Sequence, residues 1–275
     1  MLQLVSDSSC DLPEDLIKRY NIHIVPLTVN IDGKIYRENV DITSKEFYNK
    51  MAMSRNLPKT SLPTPTSFSE VFKQLSQSGP VLCITISSGL SGTYQSAYHG
   101  KELSGANITV FDSLAGSLGH GLQVLKAANL AESGHTAQEI INELEKYRSE
   151  MNILILLNTL DNIVKGGRLS KFQGTLGKLL GIKILLHNDK EGKVVLQAKA
   201  QGKKKFMNMV LDKIVRLRSD MTSVDVGITH FNNLEDTEFI KRELSEKCHA
   251  RSVLINDMGV TMATYAGDGG IIVSF

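Results

Sequence analysis

The segment "SSGLSGTYQSA", residues 87–97, puts hydroxyl side chains and glycines, and no charge, directly after the apolar run "VLCITI". Hydroxyls and the main-chain N–H groups that open a helix donate hydrogen bonds to an anion. Uncharged donors suit an anion of low charge density, above all a carboxylate, because phosphate sites more often recruit Lys or Arg. Gly92, beside Ser91, lets a ligand head approach the main chain closely. A second hydroxyl-rich stretch, "KTSLPTPTS" at residues 59–67, adds Thr60 and Ser61, and its prolines disfavour helix and sheet interior. "SDSS" at residues 6–9 and "FDS" at residues 111–113 end two further apolar runs in the same way. The plainer role of each single Ser or Thr is a helix cap.

Other chemistries fit these residues less well. "GLSG" departs from the G-x-S-x-G elbow of serine hydrolases, since its second glycine comes one residue early. The histidines, His23, His99, His120, His135, His187, His230 and His249, are scattered, so a Ser–His pair would rest on folding alone. No P-loop and no G-x-G-x-x-G is present. Asp7 and Asp112 have the chemistry of an acid–base pair or metal ligands, but strand-end aspartates more commonly cap helices and orient loops. The three cysteines, Cys10, Cys83 and Cys248, have neither disulfide-framework nor zinc spacing.

The elements that must hold these loops follow from periodicity. Through "MNILILLNTL" the chain alternates short β-branched runs with helix-compatible segments, the rhythm of a parallel sheet covered by helices on both faces. Parallel neighbours would set the three strand-end loops along one edge, where ligands settle in open α/β sheets. "NIHIVPLTVNIDGKIY" turns at Asp32-Gly33, and "ITSKEFYNKMAMS" opens with a capping box, Thr43 to Glu46 or Ser44 onward. After Leu160 the pattern shifts to short helices in "LDNIVKGGRLS" and "GTLGKLLG", and a hairpin at Glu191-Gly192. The amphipathic "KKKFMNMVLDKIVRLR" and returning strands follow. The expected fold is therefore α/β: an N-terminal parallel-sheet domain, residues 1–160, and a C-terminal α+β domain with a largely antiparallel sheet, residues 161–275. The apolar second half is either plain core or the lining of a tunnel for an apolar ligand, with Met207 and Met209 as adaptable lining.

Bulk properties narrow the setting. With 275 residues, 41% hydrophobic and 22% charged residues and a net charge of +2, the chain is an ordinary globular protein with no electrostatic case for nucleic acid or an anionic surface. Neither a signal peptide nor a bilayer-spanning run is evident, so a cytoplasmic protein without stable membrane insertion is expected.

Taken in order, "SDSSCDLP", "TSLPTPTSF", "SSGLSGTYQSA", "FDS" and "LDNIVKGGRLS" resemble the DegV family across essentially the whole chain. The resemblance implies two α/β domains holding one long-chain fatty acid, with the acyl chain buried and the carboxylate in the cleft between them. It implies no cofactor and no metal. Several members of that family present the carboxylate to a separate ATP-binding fatty acid kinase subunit. Carried over by motif, Thr60 and Ser91 would hold the carboxylate with the Gly92 N–H close by, and Ser61 and Thr93 would stand behind them. Arg168 of "GGRLS" would lie near the head group, little covered between its glycines, and dock the kinase. Two segments depart from the family pattern: "TYAGDGG" has Tyr265 in place of a histidine and Asp268 in place of a proline, and in "AKAQGKK" Gln201 replaces a basic residue. Tyr265 keeps a hydrogen-bond donor and is expected to point at the carboxylate. The expected function is thus a non-enzymatic fatty-acid carrier. The alternatives are a serine hydrolase of acyl esters or acyl phosphates and a binder of another small carboxylate.

Overall fold

The computed structural model describes residues 2–169 and 181–275. Strand β1 (Gln3–Asp7) ends in a single 3-10 turn (Ser8–Cys10) and leads to helix α1 (Glu14–Arg19). Strands β2 (His23–Val25), β3 (Thr28–Ile31) and β4 (Lys34–Arg37) follow, then α2 (Ser44–Met53), β5 (Lys59–Ser61) and α3 (Pro65–Ser76). Next come β6 (Val81–Thr85), α4 (Thr93–Ser104), β7 (Ile108–Asp112), α5 (Leu118–Glu132) and α6 (Ala137–Glu150). The second half holds β8 (Ile153–Leu157), α7 (Asp161–Lys165), β9 (Ile182–Asn188), β10 (Val194–Gln201) and α8 (Lys203–Leu217). It ends with β11 (Asp225–His230), α9 (Leu234–Lys247), β12 (Ser252–Asp257), α10 (Val260–Ala266) and β13 (Ile271–Ser274).

Among the described residues these strands form three sheets: a parallel one ordered β2-β1-β6-β7, a six-stranded one ordered β10-β9-β8-β13-β11-β12, and a small antiparallel one ordered β4-β3-β5. In the six-stranded sheet only β11 and β12 run parallel; every other neighbouring pair is antiparallel. The expected α/β chain, with a parallel N-terminal sheet and a largely antiparallel C-terminal one, is the fold observed. Both expected hairpins form, and Asp32, Gly33 and Gly192 take the positive φ that such tight turns demand. The capping box of α2 is also present.

Alternation along the strands divides the side chains between two faces of each large sheet. In the parallel sheet Leu4, Leu82 and Ile84 pack toward α5 and α6, while Val5, Val81 and Cys83 pack with Phe68 and Phe72 of α3. Cys83 is accordingly a small core residue, and all three cysteines are free and buried. In the six-stranded sheet Leu154, Leu156 and Leu185 meet α8 and α9, and Ile155, Leu157, Ile184 and Leu186 face the side of α10 and β3.

Some elements fall elsewhere than the sequence suggests. Strand β8, grouped above with the first half, is hydrogen-bonded between β9 and β13. An apolar run buried on both faces looks the same in either sheet, and only pairing partners decide its place. Residues 59–61, read as part of a rigid loop, form edge strand β5, and Pro65 occupies the first turn of α3 behind the Thr64 cap. Both placements respect proline, which lacks an N–H and is tolerated at a helix start. The short helix expected in "GTLGKLLG" lies, but for Gly181, outside the described residues. Lys203, at the unfavourable end of the α8 dipole, pairs with Asp236 at 2.7 Å and Glu235 at 3.3 Å on α9.

Candidate functional site

The loop after β6 is fixed from both sides by the aspartates that end its neighbouring strands. Asp7 Oδ1 accepts from Ser9 N at 3.1 Å, and its Oδ2 accepts from Ile86 N at 2.8 Å. Asp112 Oδ1 accepts from Ser88 N at 3.1 Å and Leu114 N at 3.0 Å. Both aspartates therefore orient loops. From the second half, the β9–β10 turn docks on the same loop: Ser87 Oγ donates to Gly192 O at 2.8 Å. A Cβ on Gly192 would come within 2.2 Å of that hydroxyl, and Gly192 has φ +70°.

Held in this way, the loop opens on a cavity of about 340 Å³ between it, β5, α10 and the six-stranded sheet. Its rim is polar and half-exposed to exposed: Thr60, Ser61, Ser91, Gly92, Arg168 and Tyr265. Its floor is apolar and buried, with Leu27, Ile155, Leu157, Ile163, Val194 and Ile272. With the exceptions of buried Thr261 and exposed Leu62, polarity and exposure thus fall together from rim to floor. That gradient suits an amphiphile with a polar head and a long apolar tail.

At the rim, Tyr265 Oη lies 2.5 Å from Thr60 Oγ1, which brings together two residues 205 positions apart. Ser91 Oγ is 2.9 Å from Thr93 Oγ1 and accepts from Thr93 N at 3.3 Å, at the first turn of α4. Gly92 caps that helix without a side chain, and a Cβ there would lie 3.1 Å from Leu62 of the facing loop. Hydroxyls and helix-start N–H groups therefore converge with a single positive side chain, Arg168, among the rim residues. Burying a carboxylate without such donors would cost several kcal/mol.

The residues singled out from the sequence divide clearly. Thr60, Ser61, Ser91, Gly92, Arg168 and Tyr265 all line the cavity, and Thr93 is buried directly behind Ser91. The "SDSS" and "FDS" loops stand beside it as supports and contribute no lining. Arg168 is not little covered, as its flanking glycines suggested. It is half-buried, its Nη1 donates to Gly166 O at 2.5 Å, and its guanidinium sits 5.0 Å from the centre of the Tyr265 ring. Gly166 serves that ring instead: a Cβ there would lie 2.4 Å from Tyr265 Cε1. Met207 belongs to the core beneath α8 and Met209 to a surface groove on the far face of the sheet, so neither lines the cavity. Met262 of α10 is the methionine that does, a residue whose helix the sequence did not disclose. Asp268 accepts from Asn232 Nδ2 at 2.9 Å and its carbonyl from Asn158 Nδ2 at 3.0 Å, so this residue fixes a turn away from the rim.

The one serine–histidine hydrogen bond among the described residues, Ser6 Oγ to His120 Nε2 at 3.0 Å, is fully buried and does not touch the cavity. Burial also lowers the His120 pKa. Among the described residues no helix is long and apolar enough to cross a membrane.

All of the chain, residues 1–275, matches the DegV family of uncharacterised proteins. A DegV domain-containing protein of Caldanaerobacter subterraneus is 35% identical over 268 residues, covering 97% of this chain and 95% of that protein. The fold matches a solved DegV family protein from Thermus thermophilus, described for its fatty acid binding, with a TM-score of 0.89 at 31% identity, covering 100% of this chain and 99% of that one. It also matches a DegV family protein from Ruminococcus gnavus, refined with vaccenic acid, with a TM-score of 0.92 at 27% identity and the same two coverages, 100% and 99%.

Proposed function

The chain belongs to the DegV family, and on that ground we propose that it binds one long-chain fatty acid in the cavity described above. The carboxylate sits at the hydroxyl rim and the acyl chain lies over the apolar floor. The observation that carries this reading is the shared gradient of polarity and exposure, from Thr60, Ser91 and Tyr265 down to Ile155, Leu157 and Ile272. The solved relatives that bind fatty acids support it. In this reading Thr60, Ser91 and Tyr265 donate to the carboxylate, the Gly92 N–H approaches it, and Ser61 and Thr93 hold the donors in place. The chain performs no chemical step of its own and needs no cofactor. Extraction of the purified protein with organic solvent followed by mass spectrometry is expected to return about one fatty acid per chain. A lipid-free protein that turns over acyl esters, with Ser91 required, would replace the carrier with a hydrolase.

The half-exposed rim leaves the bound carboxylate within reach of a partner, and the use we propose for it is presentation to an ATP-binding fatty acid kinase subunit. Arg168 stands at that rim, so Arg168→Ala is expected to impair acyl-phosphate formation more than lipid affinity. Gln201, exposed at the end of β10 where the family has a basic residue, weakens such docking from the start.

A further inference from the structure

Helix α10 supplies Thr261, Met262, Tyr265 and Ala266 to the cavity, yet it is only seven residues long and has glycine at both ends. A helix this short is not stable by its own hydrogen bonds, and its N-cap, Gly259, has no side chain to satisfy the first N–H groups. That service comes from 223 positions away. Glu38, just after β4 and 1% exposed, accepts from Thr261 N at 2.9 Å through Oε1 and from Thr261 Oγ1 at 2.7 Å through Oε2. Its Oε2 also accepts from Ser8 Oγ at 2.7 Å, and Ser8 Oγ in turn accepts from Leu27 N at 3.0 Å. Glu38 lines no part of the ligand cavity; Thr261 stands between them.

The neighbouring carboxyl completes the anchor. A Cβ on Gly259 would fall 2.1 Å from Asp11 Oδ1 and 2.8 Å from Glu38 Oε1, so both acids close on that glycine. Asp11 accepts from Ser117 Oγ at 2.6 Å, with the Gly259 N–H also favouring its charged form, whereas Glu38 has three donors. Hydrogen bonds to the charged form favour ionisation, so Glu38 carries the charge and Asp11 the proton. Burial raises the pKa of both. Neutral Asp11 spares Glu38 a like charge at close range.

Thr261 and Tyr265 are one helical turn apart and share a face. Any rotation or fraying at the first is passed to the second, whose hydroxyl must meet Thr60. We propose that Glu38 is a positioning residue for the ligand: it fixes α10 from outside the cavity and thereby sets the Tyr265 hydroxyl at the rim. The proposal rests on the fatty-acid reading for its consequence and on hydrogen bonding alone for its cause, so the two are tested apart.

The first arm needs no ligand. Amide hydrogen exchange of delipidated protein is read on peptides covering residues 259–267. Glu38→Ala is expected to raise exchange there at least tenfold with α8 and α9 unchanged, and Glu38→Gln, which keeps an acceptor for the Thr261 N–H, to restore most of the protection. The second arm is a double-mutant cycle in vaccenate affinity, by calorimetry. Glu38→Ala is expected to weaken binding about tenfold in the wild-type background and less than threefold in Tyr265→Phe. A purely structural loss would be the same in both. Should Glu38→Ala fail to fold, Ser8→Ala removes one support of the carboxylate and carries both arms with effects of about threefold. Unchanged exchange in α10, or an undiminished loss in the Tyr265→Phe background, overturns the proposal. If the wild-type chain takes no fatty acid, the functional reading fails and the exchange arm alone decides what Glu38 does.

Discussion

The two faces of the six-stranded sheet are built from the same strands and nearly the same residues, but one is packed by long helices, with an open surface groove where α8 meets β10, and the other is hollow. On the face of Leu154, Leu156 and Leu185, the long helices α8 and α9 lie down with their own apolar stripes, Phe206, Val210 and Ile214 among them. On the face of Ile155, Leu157 and Ile272 the cover among the described residues is α10, α7, α2, strands β3 and β5 and loops, and a cavity of about 340 Å³ remains. The strands do not encode the cavity; the cover does. Among the described residues, helices of 15 and 14 residues cover one face, and one of seven residues leaves room on the other.

Leu156 and Leu157 test this directly, since they are consecutive, of one type and both buried. Leu156→Ala, on the helix-packed face, is expected to cost about 3 kcal/mol in urea unfolding with vaccenate affinity unchanged. Leu157→Ala should cost about half as much in the ligand-free protein, because a cavity already adjoins it, and should weaken binding. Equal costs and equal affinities would erase the distinction between the faces. A smaller effect is expected from each of Thr60→Ala and Ser91→Ala, about ten- to a hundredfold weaker fatty acid binding with the fold retained, since a hydrogen bond to a charged group contributes about 1.5–3 kcal/mol, and a larger loss is expected from the double variant. Wild-type affinity in that variant would move the carboxylate elsewhere. Tyr265→Phe removes one hydroxyl and is expected to lose about tenfold. Tyr265→His should restore binding and add a pH dependence near the histidine pKa, about 6.5.

The smallest effect sharpens the comparison through pH. Burial lifts the pKa of Asp11 and Glu38 on the α10 side, while α8 and α9 cover a face of apolar side chains. A carboxyl whose folded pKa lies above its unfolded value of about 4 contributes stability that is complete below that value and is lost as pH rises through the folded pKa. Asp11→Asn mimics the protonated form and can still accept from Ser117. It is expected to raise the melting temperature at pH 7 by about 2–4 °C and leave it unchanged near pH 4. No difference between the two pH values would mean that Asp11 does not titrate against stability.

Much of this arrangement was legible in the residues themselves. Apolar runs ending in Asp or Ser gave parallel neighbours with their loops on one edge, because alternation of strand and helix leaves few other arrangements. Thr60, Ser91 and Tyr265 were legible through their motifs and do meet at one rim. What escaped is set by contacts distant in sequence. Strand β5 is three residues long and gains its identity from pairing with β3. Helix α10 has its cap on Glu38, so no local signal marks its start. Met207 and Met209 were the wrong methionines because helical periodicity gives an apolar face without saying which side of the sheet it covers.

The contact between Gly166 and the Tyr265 ring has a consequence for how this chain can change over generations. With the Cβ of any other residue falling 2.4 Å from the ring, position 166 has to stay glycine for as long as position 265 is tyrosine in this pose. A histidine at 265 in the same pose would keep a ring atom at the δ position, where Tyr265 Cδ1 now lies 2.5 Å from that Cβ. Only a side chain without a ring there relaxes the demand. The two positions therefore form one heritable unit, and the order of substitution matters. An alanine at 166 becomes tolerable only after the tyrosine has gone, so the path back to tyrosine then closes behind it.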